Sequence, residues 1–407
     1  MTSSLVGSEM CIRDRHIPKI RFQGFDDEWE NSNLRNFTEI RTGKLDANAM
    51  VEDGTYDFYT SGKKTYKINS YDFEGPSITI AGNGATVGFM HLADGKFNAY
   101  QRTYVLSKIS IDRQFLFSEI GNKLPRKISE EVRSGNIPYI VMSMLTELKL
   151  SVPPSLPEQK SIGQFFRTLD ELISAYKNNL EHYQSLKTSM LSKMFPKEGQ
   201  KQPEIRLDGF DGDWEEKELS NLGSRVKSYS LSRDYEIDYK SGIKYIHYGD
   251  IHTGKALIIE NNNSLPYIKN DERFIEYLQQ GDLVFADASE DYKGIANVCL
   301  IKDVVDDNII AGLHTIAFRM VNEMSSLYMF YLFKTSVFKK FGYKVGTGMK
   351  VFGISVNNLL SFNVYFPSLP EQEAIGAFFA NLDETISSYK DKIGQLELLK
   401  KNLLSQM

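Results

Sequence analysis

Few residues of this chain have the types and spacing that catalytic sites need. Asp287-Ala-Ser-Glu290-Asp-Tyr-Lys293 combines carboxylates with a lysine, as nuclease sites do, but its spacing and context differ from theirs. Gly82-Asn-Gly84-Ala-Thr-Val-Gly88 lacks the spacing and the following helix of a dinucleotide loop, so we interpret it as a tight turn between strands. The six histidines form no recognisable triad or metal set.

Motifs for nucleotide and methyl-group chemistry are also missing from the sequence. There is no Gly-x-x-x-x-Gly-Lys-Ser/Thr phosphate loop, so ATP hydrolysis by this chain is not expected. Pro153-Pro154 lies between Val152 and Ser155 and does not match the Asn/Asp-Pro-Pro-aromatic tetrad of adenine methyltransferases. The sequence therefore predicts no catalytic residue, no metal site and no cofactor bound by this chain itself.

Positive charge is concentrated in a few loops, although the whole chain has a formal charge of -5. Residues 333–350 contain five lysines and no acid, interleaved with aromatic residues, and Lys63-Lys64 and Arg102 provide charge in the first half. Basic loops with glycines suit contacts with phosphate, because lysines and backbone amides both meet the anion. For each single lysine, a solvated surface position without any phosphate contact is an equal alternative. The negative total means that any nucleic-acid surface is local or is supplemented by partners.

An internal repeat supplies the elements that must position these loops. Residues 18–30, which include Trp29, recur as 203–215 with Trp214, and 156–194 recur as 369–407, both beginning Leu-Pro-Glu-Gln. Between these matched ends the two halves differ. A duplicated frame with unlike inserts predicts two variable heads, each followed by a repeated helix, and suggests that two different targets are read in a fixed geometry.

The repeated C-terminal segments have the pattern of long helices. Their apolar residues recur in steps of three and four, and Pro and Glu stand in the first turn. About 37 residues would extend roughly 55 Å, longer than one head, so we expect the two helices to cross between the heads and to pack on each other. The alternative is that each helix lies on its own head. The stripe also includes Leu172 and Thr385, and its predicted interface residues are Ile162, Phe165, Leu169, Tyr176, Leu180, Ile375, Phe378, Leu382, Tyr389 and Ile393.

The heads have the pattern of mixed α/β domains. Short runs of β-branched and aromatic residues at 77–81, 100–106, 282–286 and 315–320 predict strands. The expected fold class is therefore α/β (mixed α+β): two globular domains joined by two long antiparallel coiled-coil helices, with a pseudo-twofold internal repeat. Only two cysteines occur and no apolar run approaches the roughly 20 residues of a membrane span, so we expect a cytoplasmic protein without membrane contact.

Taken together, these motifs resemble the specificity subunits of type I restriction-modification systems. The resemblance rests on the paired Leu-Pro-Glu-Gln helices, on Gly346-Thr-Gly-Met-Lys-Val-Phe-Gly-Ile354, on Gly281-Asp-Leu-Val-Phe285 and on Ala311-Gly-Leu-His-Thr-Ile316. It implies two target-recognition domains that each read half of a bipartite site in double-stranded DNA. It also implies partners: two methyltransferase subunits and restriction/translocase subunits, which would bring AdoMet, ATP and Mg²⁺.

On this basis the chain divides into five predicted segments. They are a non-native or disordered leader at 1–17, a first target-recognition domain at 18–155, a central spacer helix at 156–196, a second target-recognition domain at 197–368 that opens with a short linker at 197–202, and a C-terminal spacer helix at 369–407. The predicted DNA-binding residues are Lys63, Lys64, Arg102, Lys244, His247, Lys293, His314, Lys344 and Lys350.

Several alternatives remain open at this point. His314 suits packing within a sheet as well as contact with a base, and Lys293 suits a solvated loop as well as DNA. Gln101-Arg102-Thr103 replaces Leu313-His314-Thr315, so contact residues do not transfer simply between the heads. For the chain as a whole, the alternatives are a self-contained DNA methyltransferase or nuclease, and a structural coiled-coil adaptor.

Overall fold

The computed structural model describes residues 18–131, 138–260, 265–289, 296–304, 307–347 and 352–407. The chain divides into two compact units, the first formed by the residues up to Asn178 with Lys390–Met407 and the second by Asn179–Tyr389. Both division points lie inside long helices, so each long helix contributes one part to each unit. The predicted leader at 1–17 lies outside the described residues.

The head of the first unit contains two four-stranded sheets, a separate strand pair and two helices. Its elements are β1 Glu30–Asn33, β2 Glu39–Thr42, β3 Tyr56–Tyr59, β4 Tyr66–Ile68, β5 Phe73–Glu74, β6 Ser77–Ala81, β7 Met90–Ala93, β8 Lys96–Ala99, β9 Thr103–Ser107, α1 Arg113–Glu131, α2 Met142–Thr146 and β10 Lys149–Val152, with short 3-10 helices at Leu34–Asn36 and Ala47–Ala49. The sheet β2-β9-β6-β7 is antiparallel. The sheet β4-β3-β8-β5 contains the parallel pair β3 and β8, and β1 pairs with β10.

The head of the second unit repeats this plan with additional strands. Its elements are β11 Glu215–Glu218, β12 Gly223–Val226, β13 Glu236–Ile237, β14 Ile243–Ile246, α4 Tyr248–His252, β15 Ile258–Ile259, β16 Tyr267–Ile268, β17 Leu283–Ala286, β18 Ala288–Ser289, β19 Val298–Ile301, β20 Asn308–Ala311, β21 Thr315–Met320, α5 Ser326–Leu332, α6 Ser336–Val345, β22 Phe352–Gly353, α7 Val356–Leu360 and β23 Asn363–Phe366, with 3-10 helices at Leu219–Asn221 and Arg233–Tyr235. The sheets are β12-β21-β17-β19-β15 and β13-β16-β14-β20, with β14 and β20 parallel, and the pairs β11-β23 and β18-β22.

The predicted strands are present in both heads. β6 and β17 are buried along their whole length, and they lie next to β9 and β21, which are buried over most of theirs. This explains why hydrophobic runs rather than alternating patterns identify them. The strand predicted at 100–106 begins only at Thr103, because Gln101 and Arg102 form a turn.

The repeated helices are α3 Leu156–Lys193 and α8 Leu369–Gln406, each of 38 residues. In the first unit, Lys177 pairs with Glu397 at 2.7 Å and Asp170 pairs with Lys400. As the residue number falls along α3 it rises along α8, so the two segments run antiparallel. Leu396 is buried with the apolar face of α3 in one core.

The second unit contains the corresponding antiparallel pair. The rings of Tyr183 and Tyr389 lie 5.4 Å apart, and Lys187 pairs with Asp383. Asp383 is the counterpart of Asp170 in the repeat, and Lys187 is the counterpart of Lys400. The two ion pairs are therefore equivalent by the internal repeat, as expected of a pseudo-twofold coiled coil.

The buried stripe of each helix differs from the predicted one at two positions. In α3, Ile162, Phe166, Leu169 and Ile173 are buried, whereas Phe165 is 40% exposed and Leu172 is 43% exposed. In α8, Phe379 and Ile386 are buried and replace the predicted Phe378 and Thr385, which are only partly buried. The corrected stripe keeps regular steps of four and three. The prediction chose the wrong member of each Phe-Phe pair.

A buried ion pair joins the two matched ends of the first repeat. Glu158 in the first turn of α3 is fully buried and accepts hydrogen bonds from Arg21 Nε at 2.7 Å and Nη2 at 2.8 Å. The indole nitrogen of Trp29 also donates to Glu158, at 3.3 Å. The adjacent Gln159 accepts from the backbone nitrogen of Asp112. We call the Arg21–Glu158 pair the first latch.

The second repeat contains the same contact. Arg206 donates to Glu371 through Nε at 2.7 Å and Nη2 at 2.6 Å, and Glu371 is fully buried. Gln372 accepts from the backbone nitrogen of Ser325, as Gln159 does from its partner. Two details differ from the first latch: the indole nitrogen of Trp214 has no hydrogen-bond partner in the described part of the chain, and Arg206 also donates to the carbonyl oxygens of Asp211 and Gly212. In each repeat, the two segments that match in sequence therefore contact each other.

Candidate nucleic-acid interface

One turn is equivalent in the two heads and carries a predicted DNA-binding residue in each. In the first head, the backbone nitrogen of Gly82 donates to the carbonyl oxygen of Arg102 at 2.8 Å. In the second head, the backbone nitrogen of Asp287 donates to the carbonyl oxygen of His314 at 3.0 Å. Ala81 pairs with Thr103 and Ala286 with Thr315 in the adjacent register. Arg102 and His314 therefore occupy equivalent positions on equivalent sheets of the two heads, and both are exposed.

The loop that carries Lys63 and Lys64 is tied to the neighbouring segment of the first head. Ser61 Oγ donates to Asn83 Oδ1 at 2.5 Å, and Thr86 Oγ1 donates to the carbonyl oxygen of Ser61. Because Asn83 follows Gly82, the structure brings this lysine loop to the edge that holds Arg102. The segment 82–88 joins β6 to β7 as the predicted tight turn.

Both lysines of this loop are exposed, and both lie near aromatic rings. Lys63 Nζ is 5.9 Å from the ring centre of Phe89, and Lys64 Nζ is 5.4 Å from that of Tyr66. His91 lies against the carbonyl oxygen of Gly62 at 3.3 Å, and burial lowers the pKa of its imidazole. The aromatic surroundings position two cations at this edge without neutralising them.

The equivalent edge of the second head has different chemistry. His314 Nδ1 lies 3.1 Å from Asp287 Oδ1, and the ring of Tyr248 meets the His314 ring edge-on with centres 5.5 Å apart. The backbone of His314 has a φ of 54°, a left-handed conformation that is uncommon for a residue with a side chain. A carboxylate and an imidazole therefore stand where the first head presents a guanidinium.

His247 is also at this edge but is occupied by the local fold. Its side chain is 7% exposed, and Nδ1 accepts from the backbone nitrogen of Gly249 at 3.1 Å, which caps α4. Burial, and then the charge of Arg233, lower the pKa of His247, so the neutral imidazole is favoured. Sequence reasoning could not distinguish this capping role from a contact role.

The remaining predicted residues lie elsewhere. Lys244 pairs with Asp307 at 3.5 Å and its ammonium lies 5.0 Å from the ring centre of Tyr267, with 14% of the side chain exposed. Lys344 is exposed in the last turn of α6 and lines a cavity of about 500 Å³ with an aromatic wall. Lys293 and Lys350 lie outside the described residues.

Sequence reasoning missed the partners that shape this edge. Asp287 was considered only within a nuclease-like cluster, and Asn83 only within a turn. Their signal in the sequence is that each lies within two residues of the end of a buried strand, Ala81 in β6 and Ala286 in β17. Within the residues that the structure describes, no group of three His, Cys, Asp or Glu side chains could hold a metal ion, and no helix is long and apolar enough to span a membrane.

Comparison with known proteins identifies the class of protein. The family model of the type I restriction modification DNA specificity domain matches residues 26–182 and again residues 211–398. These two matches cover most of the chain, which therefore belongs to the family of type I restriction-modification DNA specificity proteins.

Individual relatives agree with this result. The chain is 24% identical over 400 residues to the type I restriction enzyme MjaVIII specificity subunit of Methanocaldococcus jannaschii, which covers 93% of this chain and 92% of that protein. It is 37% identical over 154 residues to the type I restriction enzyme EcoDI specificity subunit of Escherichia coli, covering 38% of this chain and 34% of that protein. Both relatives are named as specificity subunits, in agreement with the family that the DNA specificity domain model shows.

Solved structures confirm the fold class. The crystal structure of the S subunit of a type I restriction-modification system from M. genitalium has a TM-score of 0.63 at 16% identity, over 96% of this chain and 98% of that chain. A chain from a structural study of complex assembly in the type I restriction-modification system has a TM-score of 0.51 at 12% identity, over 94% of this chain and 98% of that chain. The predicted mixed α/β fold with a duplicated domain and long helices is therefore correct.

Proposed function

We propose that this chain reads a bipartite site in double-stranded DNA, with one half-site for each head. The observation that carries the proposal is the shared turn: the same sheet position holds Arg102 in one head and His314 in the other. A common frame with unlike exposed residues is what recognition of two different sequences requires. The bases between the half-sites are left unread.

Contacts with phosphate would fix the register of each head on the duplex. In the first head, Lys63 and Lys64 are exposed beside the turn that holds Arg102. In the second head, Lys344 is exposed, and Lys293 and Lys350 remain candidates by sequence. Such contacts supply affinity without sequence information, so they can coexist with a chain whose total charge is -5.

Two methyltransferase subunits would dock on the repeated frame. Two copies of one partner need two similar surfaces, and the frame repeats whereas the heads differ. Phe165 and Leu172 are exposed on α3, and Phe165 meets the ring of Phe22 from the N-terminal matched segment with centres 6.0 Å apart. Phe378 is the counterpart of Phe165 in the second repeat. Exposed apolar residues of this kind are typical of protein interfaces.

The partner subunits would bring the chemistry. In this proposal the methyltransferase subunits bind AdoMet, the restriction/translocase subunits bind ATP and Mg²⁺, and the assembly works in the cytoplasm. The support is the sequence, which contains no motif for these ligands.

The proposal is tested by mapping methylated adenines in a methylation-free host that expresses the chain with its methyltransferase partner. We expect one motif with two defined halves and an unread spacer. Removing the equivalent heptads 174–180 and 387–393 shortens each helix by about 10 Å and keeps its apolar face in phase within about 20°. Both half-sequences should persist with a shorter spacer. A single undivided motif, or half-sequences that change with the deletion, would contradict the proposal.

A further inference from the structure

We infer that Arg102 and His314 are the specificity-determining residues of this shared turn, and that Arg102 reads a guanine. The inference rests on the proposed function and extends it to one base in one half-site. It depends on three properties of the turn: rigid support, an unpaired guanidinium and a different partner arrangement in the second head.

The turn in the first head is held rigidly. Thr103, which follows Arg102, is buried and begins β9, a strand paired on both sides with β2 and β6. Thr103 donates from its backbone nitrogen to the carbonyl oxygen of Tyr100 at 2.8 Å, which closes the turn. The Tyr104 hydroxyl donates to the carbonyl oxygen of Ile140 at 2.8 Å. These contacts hold the backbone of Arg102 in one place, so the origin of its side chain is fixed relative to the sheet.

The guanidinium of Arg102 is available for a ligand. Arg102 is exposed and has no hydrogen-bond or ion-pair partner among the described residues. Arg35 shares this property, whereas the other described arginines of the first unit are ion-paired: Arg21, Arg41, Arg113, Arg126 and Arg167. Arg102 differs from Arg35 because it lies at the edge that also carries the lysine loop.

Close backbone packing prevents an acid from occupying the position beside Arg102. A Cβ atom at residue 82 would lie 2.4 Å from the carbonyl oxygen of Arg102, so this position accepts only glycine without a backbone shift. Gly82 is the counterpart of Asp287, which binds His314 in the second head. A cavity of about 260 Å³ is lined by Gly82, Gln101, Arg102, Tyr104 and Ile140, and it leaves room for the edge of a base.

The two turn residues would read bases in different ways. A free guanidinium presents a planar fork of donors that matches the O6 and N7 acceptors of guanine in the major groove. His314 has Nδ1 engaged by Asp287, so only Nε2 remains to face a base. The guanidinium fork of Arg102 and the single ring nitrogen of His314 would therefore read different bases, although the backbone of the turn is the same in both heads.

The test is the methylation motif of Arg102→Gln, with Arg35→Gln as the matched control in the same unit. The glutamine amide pairs best with adenine. We expect one guanine of one half-site to lose preference, with discrimination falling about 10- to 100-fold toward adenine, while the other half-site is unchanged. His314→Gln should alter only the other half-site. Arg35→Gln should leave the motif as in the wild type.

Several outcomes would overturn the inference. An unchanged motif in Arg102→Gln would do so, and so would an equal loss at all sites with an unchanged Tm, because the residue would then contact phosphate. Arg102→Lys keeps the charge but loses the fork, so full retention of guanine discrimination in that variant would also contradict it. If the wild type itself shows no bipartite motif, the proposed function fails and not this assignment alone.

Discussion

Breaking the first latch should destabilise the first unit strongly. Arg21→Met keeps an unbranched apolar stem but removes the guanidinium, which leaves the fully buried Glu158 with Trp29, at 3.3 Å, as its one side-chain donor among the described residues. Removing one partner of a buried ion pair usually costs about 3–5 kcal/mol. The positive N-terminus of α3 offsets part of this cost, so we expect about 3 kcal/mol. In a unit of this size that lowers the Tm by roughly 6–12 °C.

Differential scanning calorimetry measures this effect, with Arg126→Met as the control. Arg126 pairs with Glu130 on the surface of the same unit, with side chains 85% and 55% exposed, and such pairs contribute little. Adding Glu158→Met to Arg21→Met should recover most of the lost stability, because the stranded carboxylate is gone. If Arg21→Met lowers the Tm no more than the control does, or if the second substitution recovers nothing, then the latch does not stabilise the unit.

Two further predictions concern packing along the long helices and a buried charge in the second head. Gly163→Ala should destabilise the first unit by about 1–3 kcal/mol, because the new Cβ would lie 2.5 Å from the backbone nitrogen of Phe115. Gly394→Ala should stabilise the same unit by about 0.5–1 kcal/mol, because a Cβ there has nothing within 4 Å and alanine is the better helix former. Equal Tm shifts in the two variants would contradict this prediction. Burial, and then the charge of Lys187, lower the pKa of Lys334 to about 8. The folded state then binds fewer protons than the unfolded state between about pH 8 and 10.5, so this site gains stability as the pH rises. The Tm of Lys334→Met should lie above that of the wild type, with the largest difference below pH 8 and a smaller difference as the pH approaches 10.5. A Tm difference that does not depend on pH would refute the assignment.

The sequence predicts the duplicated frame well because its signals are local or repeated. The helix limits follow from Leu-Pro-Glu-Gln and from steps of three and four, and the core strands follow from buried apolar runs. Phe165 was mistaken for a stripe residue because Phe166 is chemically identical and adjacent, and only the buried Ile173 one heptad further on decides between them. The buried face of such a helix is therefore predicted best from apolar residues that have no apolar neighbour in the sequence.

Contacts between distant segments account for what the sequence does not reveal. Lys244 is predicted as a DNA contact from its type alone, yet Asp307 pairs with it across the parallel strands β14 and β20. The equivalence of Arg102 and His314 is visible in a rough alignment of the halves, but the carboxylate of Asp287 beside His314 is not. The charge of a side chain alone therefore does not predict a DNA contact, because a carboxylate from a distant segment can pair with it.

The latches also explain which parts of such a chain are free to change. Arg21 contacts Glu158 although 137 positions separate them, and Arg206 contacts Glu371 across 165. A substitution in one member strands a buried charge in the other, so both matched segments must be retained together. The residues between them need only keep the buried strands, and the turn that holds Arg102 or His314 is not part of the latch. Differences between the heads at that turn therefore leave both latches intact, so in the proposed function a change at the turn would alter the recognised sequence and not the fold.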